Sequence, residues 1–234
     1  MQPIDSTLQK LLGASDPYHG DAYMYAMELR KNHPSLVSHA IHKLILKLKS
    51  PNVLEAISGL SVLGHGNREV IDTLAKKLED QDPNVIVSAA NALEAVSTES
   101  INANRNLTAL FTHDNPDVAT AASFAVLKTD PKNDIALGSI KHRVEYLNLF
   151  DQSPIAYRLF PYDHDTALQI LRKISLKDEP ASLNAISILG IIGQEYKDPS
   201  LLEQIKKILT EVSEASTNNR KHLTIKNVLA QLTN

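Results

Sequence analysis

A short pattern, Pro-x-Val, recurs three times in this 234-residue sequence. Apolar residues follow each proline at positions +2, +6 and +9, and spacings of 4 and 3 place such residues on one face of a helix. The three sets are Pro51 with Val53, Ile57 and Leu60, Pro83 with Val85, Ala89 and Ala92, and Pro116 with Val118, Ala122 and Ala125. The prolines lie about 33 residues apart, which is the period of a two-helix repeat unit. One helix pair cannot cover its own apolar stripe, so the pattern predicts pairs that stack on one another.

The prolines also indicate where helices begin. Seven of the 11 prolines follow Ser, Asp or Asn, and a short polar residue before Pro is a typical helix start. These pairs are Asp16-Pro17, Ser50-Pro51, Asp82-Pro83, Asn115-Pro116, Asp130-Pro131, Ser153-Pro154 and Asp198-Pro199. No sustained alternation of apolar and polar residues indicates strands. The sequence therefore predicts an all-α fold.

The predicted architecture is a right-handed α-solenoid of about seven stacked antiparallel helix pairs, in one domain over residues 1–234. Residues 1–50 form an opening cap pair, and residues 51–128 hold the regular repeats. The spacing loosens over residues 129–178, so that the fifth pair is the most irregular. Regular spacing returns over residues 179–234, which end in a closing helix.

Composition excludes several classes of function. A net charge of -3 and a pI near 6.3 argue against a general nucleic-acid binder, which normally carries a basic excess. The absence of cysteine excludes disulfides, thiolate-bound metals and thiol catalysis. The sequence shows neither a secretory signal nor a run of apolar residues long enough for a membrane span, so we expect a cytoplasmic protein.

The second repeat carries a family resemblance. Its segment Asp82-Pro83-Asn84-Val85, followed by Ala89-Ala90-Asn91-Ala92-Leu93, resembles the first-helix signature of HEAT repeats. The Arg that commonly follows the Val in that family is replaced by Leu54, Ile86 and Ala119 in the three repeats. The resemblance implies a helical solenoid without the ladder that this Arg forms, and it carries little information on function.

Histidines and carboxylates offer two weak metal-site candidates. His39 and His42 stand three residues apart and could share a helix face, but two ligands do not complete a site. Asp163, His164 and Asp165 are adjacent, and adjacent side chains rarely converge on one ion. A helix N-cap explains Asp165 more simply. We therefore predict no metal site and no cofactor.

Aromatic residues indicate where a partner could bind. Five of the 11 Phe and Tyr residues fall between Tyr146 and Tyr162. These rings either fill the gap left by the irregular repeat or present a surface to a partner protein, since Tyr and Arg are favoured interface anchors. The predicted contact residues are Tyr157, Arg158, Phe160 and Tyr162 in this region, and Tyr18, Tyr23 and Tyr25 near the N-terminus.

No nucleotide-binding, zinc-protease or serine-hydrolase motif is present in the sequence. The favoured function is therefore a non-enzymatic protein-interaction scaffold or adaptor, a subunit of a larger complex. The alternative is a HEAT-like nucleic-acid-binding protein or enzyme, resembling either the DNA glycosylases or the bilin lyases of that fold. The absence of Trp and of a basic excess argues against the glycosylase-like alternative.

Overall fold

The computed structural model describes residues 6–14, 20–96, 101–177 and 180–233. These residues form helices, turns and loops, and the described part of the chain contains no strand. The chain divides into two compact units, Met1–Lys141 and His142–Asn234. The predicted all-α solenoid fold is confirmed, because fourteen α-helices, equivalent to seven pairs, are present in the described residues. The predicted extent of a single domain over residues 1–234 stays a prediction.

In the first unit, alternate helices form two packed layers. One layer contains α2, α4, α6 and α8, and the other contains α1, α3, α5 and α7. The bounds are α1 Ser6–Gly13, α2 Gly20–Asn32, α3 Val37–Lys47, α4 Val53–Leu63, α5 Arg68–Lys77, α6 Pro83–Val96, α7 Ile101–Ala109 and α8 Pro116–Thr129. A 3-10 turn, Pro34–Leu36, leads into α3, and α9, Asp134–Glu145, runs across the boundary of the unit.

The second unit repeats this arrangement over fewer helices. Its bounds are α10 Leu149–Leu159, α11 His164–Ser175, α12 Pro180–Tyr196, α13 Pro199–Glu214 and α14 Asn219–Gln231. Helices α10, α12 and α14 pack side by side in one layer, while α11 and α13 pack in the other. Successive helices reverse direction, so α11 and α13 run the same way.

Helices α6 and α8 pack against each other, and both bury alanines. Ala89 and Ala92 of α6, and Ala122 and Ala125 of α8, are between 0% and 2% exposed. These are the +6 and +9 positions of the repeat pattern, so their predicted burial is confirmed. Without longer side chains between them, helix axes approach closely and their backbones make dispersion contacts. Every residue of α8 from Val118 to Leu127 is buried.

Eight of the described helices begin after an Asn or Asp whose side-chain oxygen accepts a backbone N–H of the first turn, a cap that stabilises a helix by about 1 kcal/mol. The capping residues are Asn67, Asp82, Asn115, Asn133, Asn148, Asp163, Asp198 and Asn218.

Three predicted helix starts are confirmed and three are wrong. Asp82, Asn115 and Asp198 directly precede α6, α8 and α13. Ser50 instead lies in a turn before α4, and Asp130 ends α8. Ser153-Pro154 lies inside α10, because the Asn148 carboxamide caps the helix five residues earlier by accepting from the Phe150 and Asp151 N–H groups at 3.0 and 3.1 Å. Asp16-Pro17 falls outside the described residues.

One face of α2 is buried and the adjacent face is exposed. Ala22, Ala26 and Leu29 are each 0% exposed, whereas Tyr23 and Met27 are 47% and 46% exposed. The buried set Ala22, Ala26 and Leu29 keeps the spacing of 4 and 3, so Tyr23 and Met27 lie on the adjacent, solvent-facing side of the helix.

Lys197, between α12 and α13, has a positive φ of 48°, the only such value among the non-glycine residues that the structure describes. The left-handed conformation costs a residue with a Cβ about 1–2 kcal/mol. We therefore expect Lys197→Gly to raise the melting temperature by about 2–4 °C, a shift typical of 1 kcal/mol in a chain of this size. Thermal unfolding followed by circular dichroism measures it.

The matched control for this prediction is Lys173→Gly, which places the same change at an exposed position inside α11. Glycine inside a helix costs about 1 kcal/mol, so the control lowers the melting temperature. If Lys197→Gly and Lys173→Gly lower the melting temperature equally, the backbone at Lys197 carries no strain.

Candidate functional site

Two tyrosines and a glutamate come together where α10 and α12 end. The Tyr157 hydroxyl, on α10, donates a hydrogen bond of 2.8 Å to Oε1 of Glu195 on α12. Tyr196 follows Glu195 in the chain, and its phenol is near enough to influence the ionisation of Tyr157. Tyr157 and Tyr196 are 36% and 42% exposed, so both rings are accessible to a ligand.

Aromatic packing supports this group from beneath. The Phe160 ring is fully buried and stacks on the His164 ring, with a centroid distance of 4.3 Å and an interplanar angle of 18°. The Phe160 and Tyr196 rings pack edge to face, with their centroids 4.8 Å apart and an interplanar angle of 63°. Such geometries are favourable for aromatic pairs beyond their burial. We call Tyr157, Phe160, His164, Glu195 and Tyr196 the tyrosine–glutamate cluster.

The Glu195 carboxylate influences both phenols. It raises the pKa of Tyr157, chiefly because it accepts the phenolic hydrogen bond, with burial and its negative charge adding to the effect. The pKa of Tyr196 is raised first by burial and then by the same charge. Both tyrosines are therefore neutral hydroxyl donors at physiological pH, adjacent to a carboxylate acceptor. The cluster offers π surfaces, the Tyr196 O–H group and one negative charge to a ligand.

The raised pKa of Tyr157 predicts a pH dependence. Its ordinary pKa is about 10, and the folded state favours the neutral phenol, so the stabilisation is present below about pH 10 and is lost as the pH rises through the higher, folded value. In Glu195→Gln the phenol should ionise at lower pH. Titration of ¹³C-labelled tyrosine by NMR measures this, with Glu203→Gln on α13 as control. An unchanged Tyr157 titration in Glu195→Gln would contradict the assignment.

The predicted contact residues of the second unit differ in their exposure and surroundings. Tyr157 lies in the cluster, and Arg158 and Tyr162 beside it are half-buried. Phe160 is at 0% exposure, which corrects its predicted role as a contact residue: it supports the cluster from within and cannot reach a partner surface. As contact residues, Tyr157, Arg158 and Tyr162 stay predictions.

The N-terminal tyrosines belong to the first unit. Tyr23 is exposed on α2, and Tyr25 is half-buried with Nζ of Lys10 at 5.8 Å from its ring centroid. Tyr18 falls outside the described residues. A contact role for these three residues stays a prediction.

The two weak metal candidates have other surroundings. His39 and His42 are both exposed on α3. Asp163, rather than the predicted Asp165, caps α11 by accepting the Thr166 N–H at 3.0 Å. Within the residues that the structure covers, no group of three or more His, Cys, Asp or Glu side chains is placed to hold a metal ion.

Among the helices present in the described ranges, none combines the length and hydrophobicity needed to cross a bilayer. No family model and no curated protein sequence matches the chain.

Solved structures do show similarity. The chain aligns with the structure of the complex of CpcE and CpcF of phycocyanin lyase from Nostoc sp. PCC7120, over 99% of its own length and 97% of that chain, at a TM-score of 0.53 and 19% identity. The chain shares the fold of that lyase subunit. An engineered protein also aligns over 98% of this chain and 97% of its own at 18% identity, but its TM-score of 0.38 is too low to carry an argument.

The lyase similarity corrects one prediction. The prediction that the chain is not an enzyme is wrong on this finding, because the helical-repeat fold on which it rests is also the fold of a lyase subunit. The similar structure is a complex of two proteins, which is consistent with the prediction that this chain has protein partners.

Proposed function

We propose that the protein is one subunit of a two-chain lyase that acts on a bilin and on the protein that carries it. The observation that supports this proposal is the similarity to a chain of the phycocyanin lyase complex over nearly the whole length of both proteins. At 19% identity the similarity is one of fold, so the choice of substrate depends on the chemistry of the cluster.

The chemistry of a bilin is complementary to the tyrosine–glutamate cluster. A bilin is a linear tetrapyrrole, with a flat conjugated system, pyrrole N–H donors and carboxylate side chains. The exposed rings of Tyr157 and Tyr196 provide surfaces on which a flat conjugated molecule stacks. The second oxygen of Glu195 provides an acceptor for a pyrrole N–H, and such charge-assisted hydrogen bonds are the stronger kind.

Charged residues beside the cluster can orient the substrate. Lys197 directly follows Tyr196 and is exposed, so its ammonium group can pair with a bilin carboxylate. The sequence contains no cysteine, so this chain would bind the bilin without a thioether bond to its own residues. In this proposal the chain binds and orients the chromophore, and the two phenols hold protons beside it.

A spectroscopic titration tests the proposal. Bilin freed from phycocyanin is added to the purified full chain, and its absorption spectrum is recorded. Bilins change their absorption when a protein restricts their conformation, so we expect a saturable change with wild type. A spectrum identical to that of free bilin would overturn the proposal.

Variants then test the cluster itself. Tyr196→Leu and Glu195→Gln should each weaken bilin binding by about tenfold, which corresponds to the loss of one aromatic contact or one charge-assisted hydrogen bond. Tyr146→Leu is the matched control, because Tyr146 is 70% exposed and its ring contacts His142, tilted by 49°, outside the cluster. If bilin binding is saturable in wild type and unchanged in all three variants, the bilin binds elsewhere on the chain.

A further inference from the structure

A second binding feature lies on the other layer of the second unit. The parallel helices α11 and α13 enclose a groove of about 420 Å³. Its floor is apolar, because Leu168 and Ile208 are 5% and 9% exposed. Its rims are polar and are formed by Asp165, Gln169, Arg172, Gln204, Lys207 and Glu211.

One end of the groove already holds a carboxylate between two cations. Arg172 Nε donates to Glu211 Oε2 at 2.8 Å, and Nη2 donates to the other carboxylate oxygen. Lys207 adds a second positive charge near Glu211 and, after Arg172, helps to lower the pKa of that carboxyl group. The side chains of Arg172 and Glu211 are 49% and 39% exposed, and exposed ion pairs contribute little net free energy. A carboxylate from a ligand can therefore replace Glu211 at small cost.

The other end of the groove has the opposite charge. Asp165 lies two helical turns before Arg172, a separation of about 10 Å along the helix axis. Three residues of extended peptide span about the same distance. The exposed Gln169 of α11 and Gln204 of α13 also line the groove, and a side-chain amide both donates to and accepts from peptide groups.

From these features we propose that the α11–α13 groove binds an extended peptide segment with a basic residue and, three residues later, a carboxylate. The carboxylate binds Arg172 and Lys207 in place of Glu211, the basic residue binds Asp165, and an apolar side chain between them packs on Leu168 and Ile208. Glu211 then acts as an internal competitor of the ligand. This site is separate from the tyrosine–glutamate cluster and does not depend on bilin chemistry.

Because of the Arg172–Glu211 ion pair, one substitution in the groove is expected to raise the affinity for the peptide. If Glu211 competes with the ligand, Glu211→Gln strengthens peptide binding, by up to about fivefold for an exposed pair. Arg172→Gln removes the guanidinium fork and should weaken binding by about tenfold. If the pair only ties α11 to α13, the two substitutions change peptide binding in the same direction or leave it unchanged.

The probe is the acetylated, amidated peptide Lys-Ala-Leu-Glu, titrated into the ¹⁵N-labelled full chain and followed by NMR. We expect saturable shifts confined to α11 and α13, and none with a peptide that has Gln in place of Glu. A third peptide, Lys-Ala-Leu with a free C-terminus, distinguishes a terminal carboxylate from an acidic side chain. Binding of the Glu peptide or of the peptide with a free C-terminus supports the proposal. If neither peptide binds, the proposal is overturned.

Matched controls separate the groove from general charge effects. Glu203→Gln removes a glutamate of α13 whose carboxylate lies 3.7 Å from Lys206, and Arg68→Gln removes an exposed arginine paired with Asp72 at 3.9 Å. Both controls should bind the peptide as wild type does. Arg172→Lys keeps the positive charge but loses the guanidinium fork. It replaces Arg172→Gln in the test if the NMR spectrum of Arg172→Gln is not that of a folded protein. Equal affinity of wild type, Glu211→Gln and Arg172→Lys would overturn the proposal.

Discussion

Phe160→Ala is expected to lower the free energy of unfolding by about 3–5 kcal/mol, the usual cost of deleting a fully buried Phe ring. The ring is at 0% exposure and contacts the rings of both His164 and Tyr196. Its removal takes away buried surface and two aromatic contacts, and it leaves a cavity within the tyrosine–glutamate cluster. Urea denaturation followed by circular dichroism measures the change.

The control for Phe160 lies on α10, the helix that Phe160 directly follows. Phe150, near the start of α10, is 57% exposed, so Phe150→Ala should cost less than about 1 kcal/mol. If the two variants lose similar stability, Phe160 is not the core residue that the structure indicates. Should Phe160→Ala be too unstable to purify, Phe160→Leu keeps most of the volume, loses the ring contacts and should be intermediate.

A second large effect is expected from Ala122→Leu in α8. Ala122 is fully buried in a helix that packs against α6, and α6 also buries Ala89 and Ala92. Three added carbon atoms must push the helices apart or force strained rotamers, at a cost of about 1–3 kcal/mol. Denaturant unfolding measures this loss, and hydrogen exchange should show faster exchange of α6 and α8 amides.

Ala95→Leu provides the comparison, because Ala95 is exposed on α6 of the same unit. Leucine has a helix propensity close to that of alanine, so the control should change stability by less than about 0.5 kcal/mol. If Ala122→Leu behaves like Ala95→Leu, α6 and α8 are not in close contact.

The repeat pattern predicts the fold because the physics of a solenoid is local. Val85, Ala89 and Ala92 share one helix face whatever the rest of the chain does, and burial of that face requires a neighbouring pair. A helix start is predictable where only one nearby residue can act as the N-cap, as at Asn115. They fail where a second candidate stands nearby: the cap at Asn148 begins α10 before Ser153-Pro154 is reached. Pro154 is the sixth residue of α10 and lies past its first turn, so it removes the backbone hydrogen bond to the Phe150 carbonyl that another residue would donate there.

The candidate site is less predictable because its members come from distant parts of the sequence. Tyr157 was within reach of sequence reasoning, since it lies in an aromatic-rich segment. Its partner Glu195 is 38 residues away, and no local pattern links the two. Tyr196 is the last residue of α12, and no sequence motif marks it. Only the side-by-side packing of α10 and α12 brings these residues together.

The Asn and Asp caps have a consequence for how such a chain can change in length. Each capping oxygen lies within two or three residues of the N–H that it binds. A capping residue and the helix that it starts are therefore encoded together in one short segment. A gene segment that encodes one hairpin, when duplicated in frame, therefore supplies its own instructions for folding and needs no compensating change elsewhere. Evolution can lengthen or shorten this architecture by whole hairpins, while loss of half a hairpin would leave an apolar stripe without its cover.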